Sequence, residues 1–173
     1  LTELQTQGLE PRAFFEDLTR SGGYVIHLHR SNAFRSAISS SIAHTRGRHR
    51  DTVVNPLQGQ TFHLNCNAVV ENVTQRVSAQ ETEFDVMRDL PHLSLNYEED
   101  LLWANCHQLT CDRVFQHLNC DSQLVTTSHS KRSPADLSEV IGNYDDLVSA
   151  LQAAGLSRFL SDGEYKSHAM SAA

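Results

Sequence analysis

The chain has 173 residues, enough to enclose one real core and too few for two comfortable domains. Hydrophobic residues make up 39% and charged residues 20%, the balance of a soluble, slightly polar globular protein. The net charge of -7 argues against bulk attraction to nucleic acid or an anionic membrane, so any bound anion must be held by a local site.

No run of about 18 apolar residues is present to form a membrane-spanning helix. Leu1 to Glu10 lack the basic start and apolar centre of a signal peptide. In chain order, Pro11 to Thr19 predicts a short helix with Phe14, Phe15 and Leu18 as its apolar stripe, stopped by Ser21-Gly22-Gly23. Tyr24 to His29 predicts a short interior strand. From Asn32 the period changes: Phe34, Ile38 and Ile42 recur every four residues beside Ala33 and Ala37, a helix face for a sheet, ended by Gly47. Arg46 to Gln60 reads as a loop, basic at first. Phe62 to about Arg88 reads as one or two amphipathic helices, His92 to Tyr97 as a second strand and Asp100 to Leu118 as a helix. Ser128 to Pro134 is a basic, polar loop, Leu137 to Leu151 is helical, and the tail after Phe159 is frayed. Strands alternating with helices predict an α/β fold with a parallel sheet in a single domain.

A strand that runs into a helix gathers backbone N–H groups and the positive end of the helix dipole at one spot. Asn32 stands at the N-cap position. Asn32 and Ser39 are seven residues apart, about 700° and so nearly one direction at ~100° per residue. Arg35 and Ser36 flank that polar line, while the apolar positions point elsewhere. Arg30, at the strand's end, offers a planar fork to phosphate, and Ser39 adds a hydroxyl. Spacing by itself leaves the alternative open that Arg30 is a solvated strand-end charge and Ser39 a surface residue.

The run Val25-Ile26-His27-Leu28-His29-Arg30-Ser31-Asn32-Ala33-Phe34-Arg35-Ser36-Ala37-Ile38-Ser39 resembles the 3'-phosphate-binding motif of PAPS-dependent sulfotransferases, especially their bacterial-type branch. Ser39 stands nine residues after Arg30, where cytosolic animal members place the serine at eight. Leu95 to Leu102 is similar to the family's YEDL segment, with one extra acidic residue. Val114 to Cys120 resembles its F-x-x-L-G helix end, with Asn119 where glycine is common. Ser130-Lys131-Arg132 and Ile141 to Leu147 resemble the basic loop and closing helix.

The resemblance covers roughly residues 11 to 160. It implies a three-layer sandwich of the P-loop NTPase-like sulfotransferase fold, with PAPS as co-substrate and no metal. Arg30, Ser39, Asn32, Lys131 and Arg132 would then contact the nucleotide, and an acceptor hydroxyl or amine would receive the sulfuryl group. The family's 5'-phosphosulfate loop and general base precede this motif, and residues 1–23 resemble neither. The reading is therefore of a C-terminal portion or a degenerate member, with no catalytic base assigned. The alternative is a non-catalytic nucleotide-binding or interaction domain on the same scaffold. A P-loop kinase relative would carry G-x-x-x-x-G-K-[ST], which is absent from the sequence.

Other features read more plainly. His27 and His29 share one strand face as packing groups, with an approach to the nucleotide or acceptor as the alternative. His107 and Cys111 are spaced to share a zinc ion, but Cys106 and Cys111 point different ways on a helix and there is no CxxC pair. The cysteines Cys66, Cys106, Cys111 and Cys120 read as small buried apolar groups, and their sparseness favours a reducing cytosol over a disulfide scaffold. Glu98, Glu99 and Asp100 read as charges favouring the start of the helix that follows. Asn72-Val73-Thr74 matches a glycosylation sequon within a helix-like stretch.

Overall fold

Capping chemistry sets several helix ends in the computed structural model, which describes residues 1–45, 60–127 and 136–160. After a short helix α1 (Thr2–Thr6), Glu10 accepts the N–H groups of Arg12 and Ala13 and Pro11 opens helix α2 (Pro11–Arg20). Gly22, at φ +86°, ends it: the N–H of Gly22 reaches Thr19 O and that of Gly23 reaches Leu18 O. Strand β1 (Ile26–His29) pairs in parallel with β2 (Leu93–Asn96), Ile26 opposite Leu93 and His29 opposite Asn96. Between them come α3 (Ala33–Thr45) and the long α4 (Cys66–Met87), and α5 (His107–His117) and α6 (Tyr144–Ala153) follow β2. The chain is thus of mixed helix and parallel sheet, as expected. No described helix is long and apolar enough to cross a membrane.

The chain divides into two compact units, each made of two separated stretches: Leu1–Ser31 with Arg76–Ser128, and Asn32–Gln75 with His129–Ala173. In the first, Leu93 N–H and His117 Nε2 both reach Val25 O, at 3.0 Å each, tying β1 to β2 and α5. Arg12 reaches across to Arg88 O at 3.0 Å, beyond the last turn of α4. In the second, Phe34, Ile38, Val69, Val73, Leu147 and Leu151 are almost fully buried. Phe62 forms a parallel bridge with Ile141 there.

Four expectations are corrected. Asp100 to Leu118 is not one helix but a single π-helical turn (Tyr97–Leu101), a 3₁₀ turn (Ala104–Cys106) and then α5. Side chains take the carbonyls that a continuous helix would need: Thr110 Oγ1 donates to Asp100 O at 2.7 Å and His107 Nε2 to Leu101 O at 2.8 Å. Leu137 to Leu151 likewise breaks, into a 3₁₀ turn (Leu137–Glu139) and α6, because the Phe62–Ile141 bridge intervenes. A Cβ at Gly142 would lie 2.6 Å from His63 Nε2 and 2.8 Å from Thr61 Cγ2, so a larger residue there would displace these two exposed side chains. Strand β1 has one neighbour among the described residues, and it buries His27 while Ile26 and Leu28 are exposed, the reverse of an interior apolar strand. The cysteines are free and are half-buried or, at Cys120, exposed rather than buried. Gly47, nearly all of the 46–60 loop, the 128–134 loop with Lys131 and Arg132, and the tail beyond 160 lie outside the described residues.

Candidate functional site

In the first unit, polar groups gather at the carboxyl end of the parallel pair, the usual place for ligands in α/β sheets. The end of β1 delivers Arg30 and Ser31, and the end of β2 delivers Asn96, Tyr97 and Glu98. Glu98 is buried, and its two oxygens divide their work: Oε1 accepts Arg30 Nε at 3.3 Å and Oε2 accepts Ser31 N–H at 2.8 Å. Asn96 supports both neighbours, its Oδ1 accepting Glu98 N–H at 2.9 Å and its Nδ2 donating to Ser31 Oγ. Tyr97 lies under the guanidinium, 4.3 Å from its ring centre to Arg30 Cζ. Gln80 of α4 donates to Arg30 O at 3.2 Å, which holds the backbone as well.

Arg30 is therefore held from two sides through Nε and its flat face. Its two Nη groups form no hydrogen bond among the described residues. Arg76 of α4 lies within electrostatic reach: burial first, and then the positive charge of Arg30, lower the pKa of its guanidinium. Beside the buried Glu98 carboxylate, Arg30 keeps its two Nη groups without a hydrogen bond among the described residues, in a chain whose net charge is negative. Such a place suits a planar, bidentate contact to an oxyanion.

The second unit holds Asn32 and Ser39. Asn32 caps α3, its Oδ1 accepting Arg35 N–H at 2.8 Å, as its position in the sequence predicts. It is itself buried, and so its carbonyl oxygen is committed to the helix. With Phe34, Arg35, Asp136 and Tyr144 it lines a cavity of about 320 Å³. Hydrogen bonds from the Ser138 hydroxyl and N–H hold the Asp136 carboxyl below the usual carboxylate range, and the charge of Arg35 adds to this. Ser39 is exposed on α3.

Sequence reasoning missed the principal partner of Arg30. Glu98 and Asp100 serve tertiary contacts and not simply the start of a helix: Asp100 Oδ2 accepts Asn96 N–H at 2.6 Å and its Oδ1 pairs with Arg113. A run of three acids, one residue after a strand that ends in asparagine, was the available signal. His27 and His29 do share a face, against Phe84 of α4. Burial first and the charge of His29 second lower the pKa of His27, with Glu83 opposing them.

The chain matches no family model, no curated protein and no solved structure.

Proposed function

We propose that this chain carries the donor-nucleotide end of a PAPS-dependent sulfotransferase of the P-loop-like α/β fold, with Arg30 as the principal ligand of the 3'-phosphate. The observation that carries the reading is the clamped guanidinium of Arg30: Glu98 and Tyr97 fix its orientation while both Nη groups face no protein partner among the described residues. A fork held in advance loses little side-chain entropy when an anion arrives. Arg76 adds a second positive charge nearby. The parallel pairing of β1 and β2 and the capping of α3 by Asn32 agree with the strand-then-helix motif. The parts of Ser39, Lys131 and Arg132 rest on the sequence resemblance.

Sulfuryl transfer from PAPS to a hydroxyl or amine depends on positioning and on charge stabilisation, much as phosphoryl transfer does. In that scheme Arg30 holds the nucleotide so that the sulfuryl group faces its acceptor, and touches no reacting atom itself. Calorimetry with 3',5'-ADP tests the assignment. Arg30→Ala should weaken binding by about 1.5–3 kcal/mol, the range for a hydrogen bond to a charged group. Ser39→Ala should weaken it by about 0.5–1.5 kcal/mol, as for an ordinary hydrogen bond. Equal binding by wild type and Arg30→Ala, with both folded by circular dichroism, would sink the proposal.

A further inference from the structure

One face of β1 carries imidazoles where an interior strand would carry apolar side chains. His27 and His29 alternate with the exposed Ile26 and Leu28 and project to the same side, with ring centres 5.4 Å apart. His92, just before β2, places a third ring 6.0 Å from His27. The parallel register pairs Ile26 with Leu93, so His92 stands one step before that pair and His29 three steps beyond it. The two therefore flank His27 from opposite ends. Phe84 of α4 covers the face, 5.2 Å from the His27 ring and 5.0 Å from the His29 ring. Among the described residues, three titratable groups face His27: His29 on its own strand, His92 at the entry to β2, and Glu83 on α4. The Glu83 Oε2 lies 3.6 Å from His27 Nε2. His27 is only 7% exposed, and its Nδ1 and Nε2, like Nδ1 of His29, are buried with no hydrogen bond. Buried polar groups ordinarily find partners. A ring so placed is held neutral, because water is excluded and its two flanking neighbours can themselves become cations. Burial first, and the charge of His29 second, hold its pKa below that of a free imidazole, with Glu83 opposing them.

We propose that His27, His29 and His92 form a proton-sensitive latch between β1 and the C-terminal half of α4, closed while the three rings are neutral and opened by acid. His29 and His92 are partly exposed, so protons reach their rings while the face is still packed. His92 Nδ1 already donates to Leu90 O at 2.8 Å, so an added proton goes to its Nε2. A cation at either position stands within 6.0 Å of the His27 ring, with Glu83 as the one facing carboxylate. His27 itself gains a proton when its strand leaves α4 and water reaches the ring. The open form thus binds protons that the packed form excludes. Closure is complete well above 6.5, the ordinary pKa of histidine, and weakens as pH falls below it. The strand moved in this way carries Arg30, whose carbonyl is held by Gln80 of the same α4. Acid therefore loosens the Arg30 clamp as well. That consequence rests on the function proposed above, whereas the opening itself does not.

Hydrogen exchange of the full chain, corrected for the intrinsic pH dependence of amide exchange, tests the latch with no nucleotide present. From about pH 7.5 to about pH 5.5, protection of the β1 and β2 amides should fall by up to about tenfold per pH unit for each proton taken up. Protection of α6, in the second unit, should change by less than about threefold over the same range. His27→Leu keeps an apolar side chain in that place and cannot titrate, so its β1 protection should stay level. His29→Gln combined with His92→Gln, on partly exposed side chains, should make the decline shallower by at least about half. The double variant keeps the test decisive if His27→Leu does not fold. Equal pH dependence of β1 and α6 in the wild type overturns the proposal, and so does an undiminished decline in the variants that fold.

Discussion

The second unit buries Phe34, Ile38, Ile42, Phe62, Leu64, Val69, Val73, Leu147 and Leu151, an interior that any hydrophobic-core argument would recognise. The first unit buries Val25, Met87 and Leu95 beside His27, Glu98 and Thr110, and leaves Tyr24, Ile26, Leu28, Trp103 and Leu109 exposed. One unit is held by apolar area removed from water. The other relies on hydrogen bonds and ion pairs around the sheet end, where the candidate binding groups also stand. Buried polar groups are costly unless fully partnered, so a unit rich in them is specified by geometry more than by bulk burial.

Truncation of large apolar side chains gives the largest expected contrast. Leu147→Ala, at a fully buried position, should cost about 2–5 kcal/mol in urea unfolding. Leu28→Ala, at a position 51% exposed in the first unit, should stay within about 0.5 kcal/mol. Similar losses from the two would erase the distinction between the units.

A smaller effect separates two adjacent acids within the first unit. Glu98→Ala removes the acceptor of Ser31 N–H and the partner of Arg30, and should cost about 1.5–3 kcal/mol in thermal or urea melts. The exposed Glu99→Ala should change stability by no more than about 0.5 kcal/mol.

The smallest prediction concerns pH. Hydrogen bonds from Ser122 first and Gln108 second hold the Asp112 carboxyl below the usual carboxylate range, as Ser138 does for Asp136 in the second unit. With the folded pKa below the unfolded one, the contribution is present above the unfolded value and is lost as pH falls through the folded value. Melting temperature followed downward from about pH 4 should therefore decline less steeply in Ser122→Ala than in wild type. An unchanged slope would mean that this carboxylate is not linked to folding.

Local chemistry made a good part of the fold legible. Gly22 after α2 and Asn32 before α3 marked helix boundaries because glycine tolerates positive φ and asparagine caps a helix. Asn119, noted where glycine is common, takes φ +55° at the end of α5, with Cys120 N–H returning to Phe115 O at 2.9 Å. The four-residue spacing of Phe34, Ile38 and Ile42 marked a face that is indeed buried. These features depend on a residue and its near neighbours, and a linear reading can reach them.

Only the tertiary structure decided what competes with local pattern. Asp100 to Leu118 has helical periodicity, but Thr110 and His107 take carbonyls that the helix would use. The strand pattern of β1 suggested an apolar interior, whereas its histidines face Phe84 and its apolar residues face outward. The site divides in the same way. Arg30 was legible as a cation ending a strand, but its orientation depends on Glu98, 68 residues away in sequence. No local pattern encodes a contact at that separation, because it arises only when β1 and β2 align in parallel.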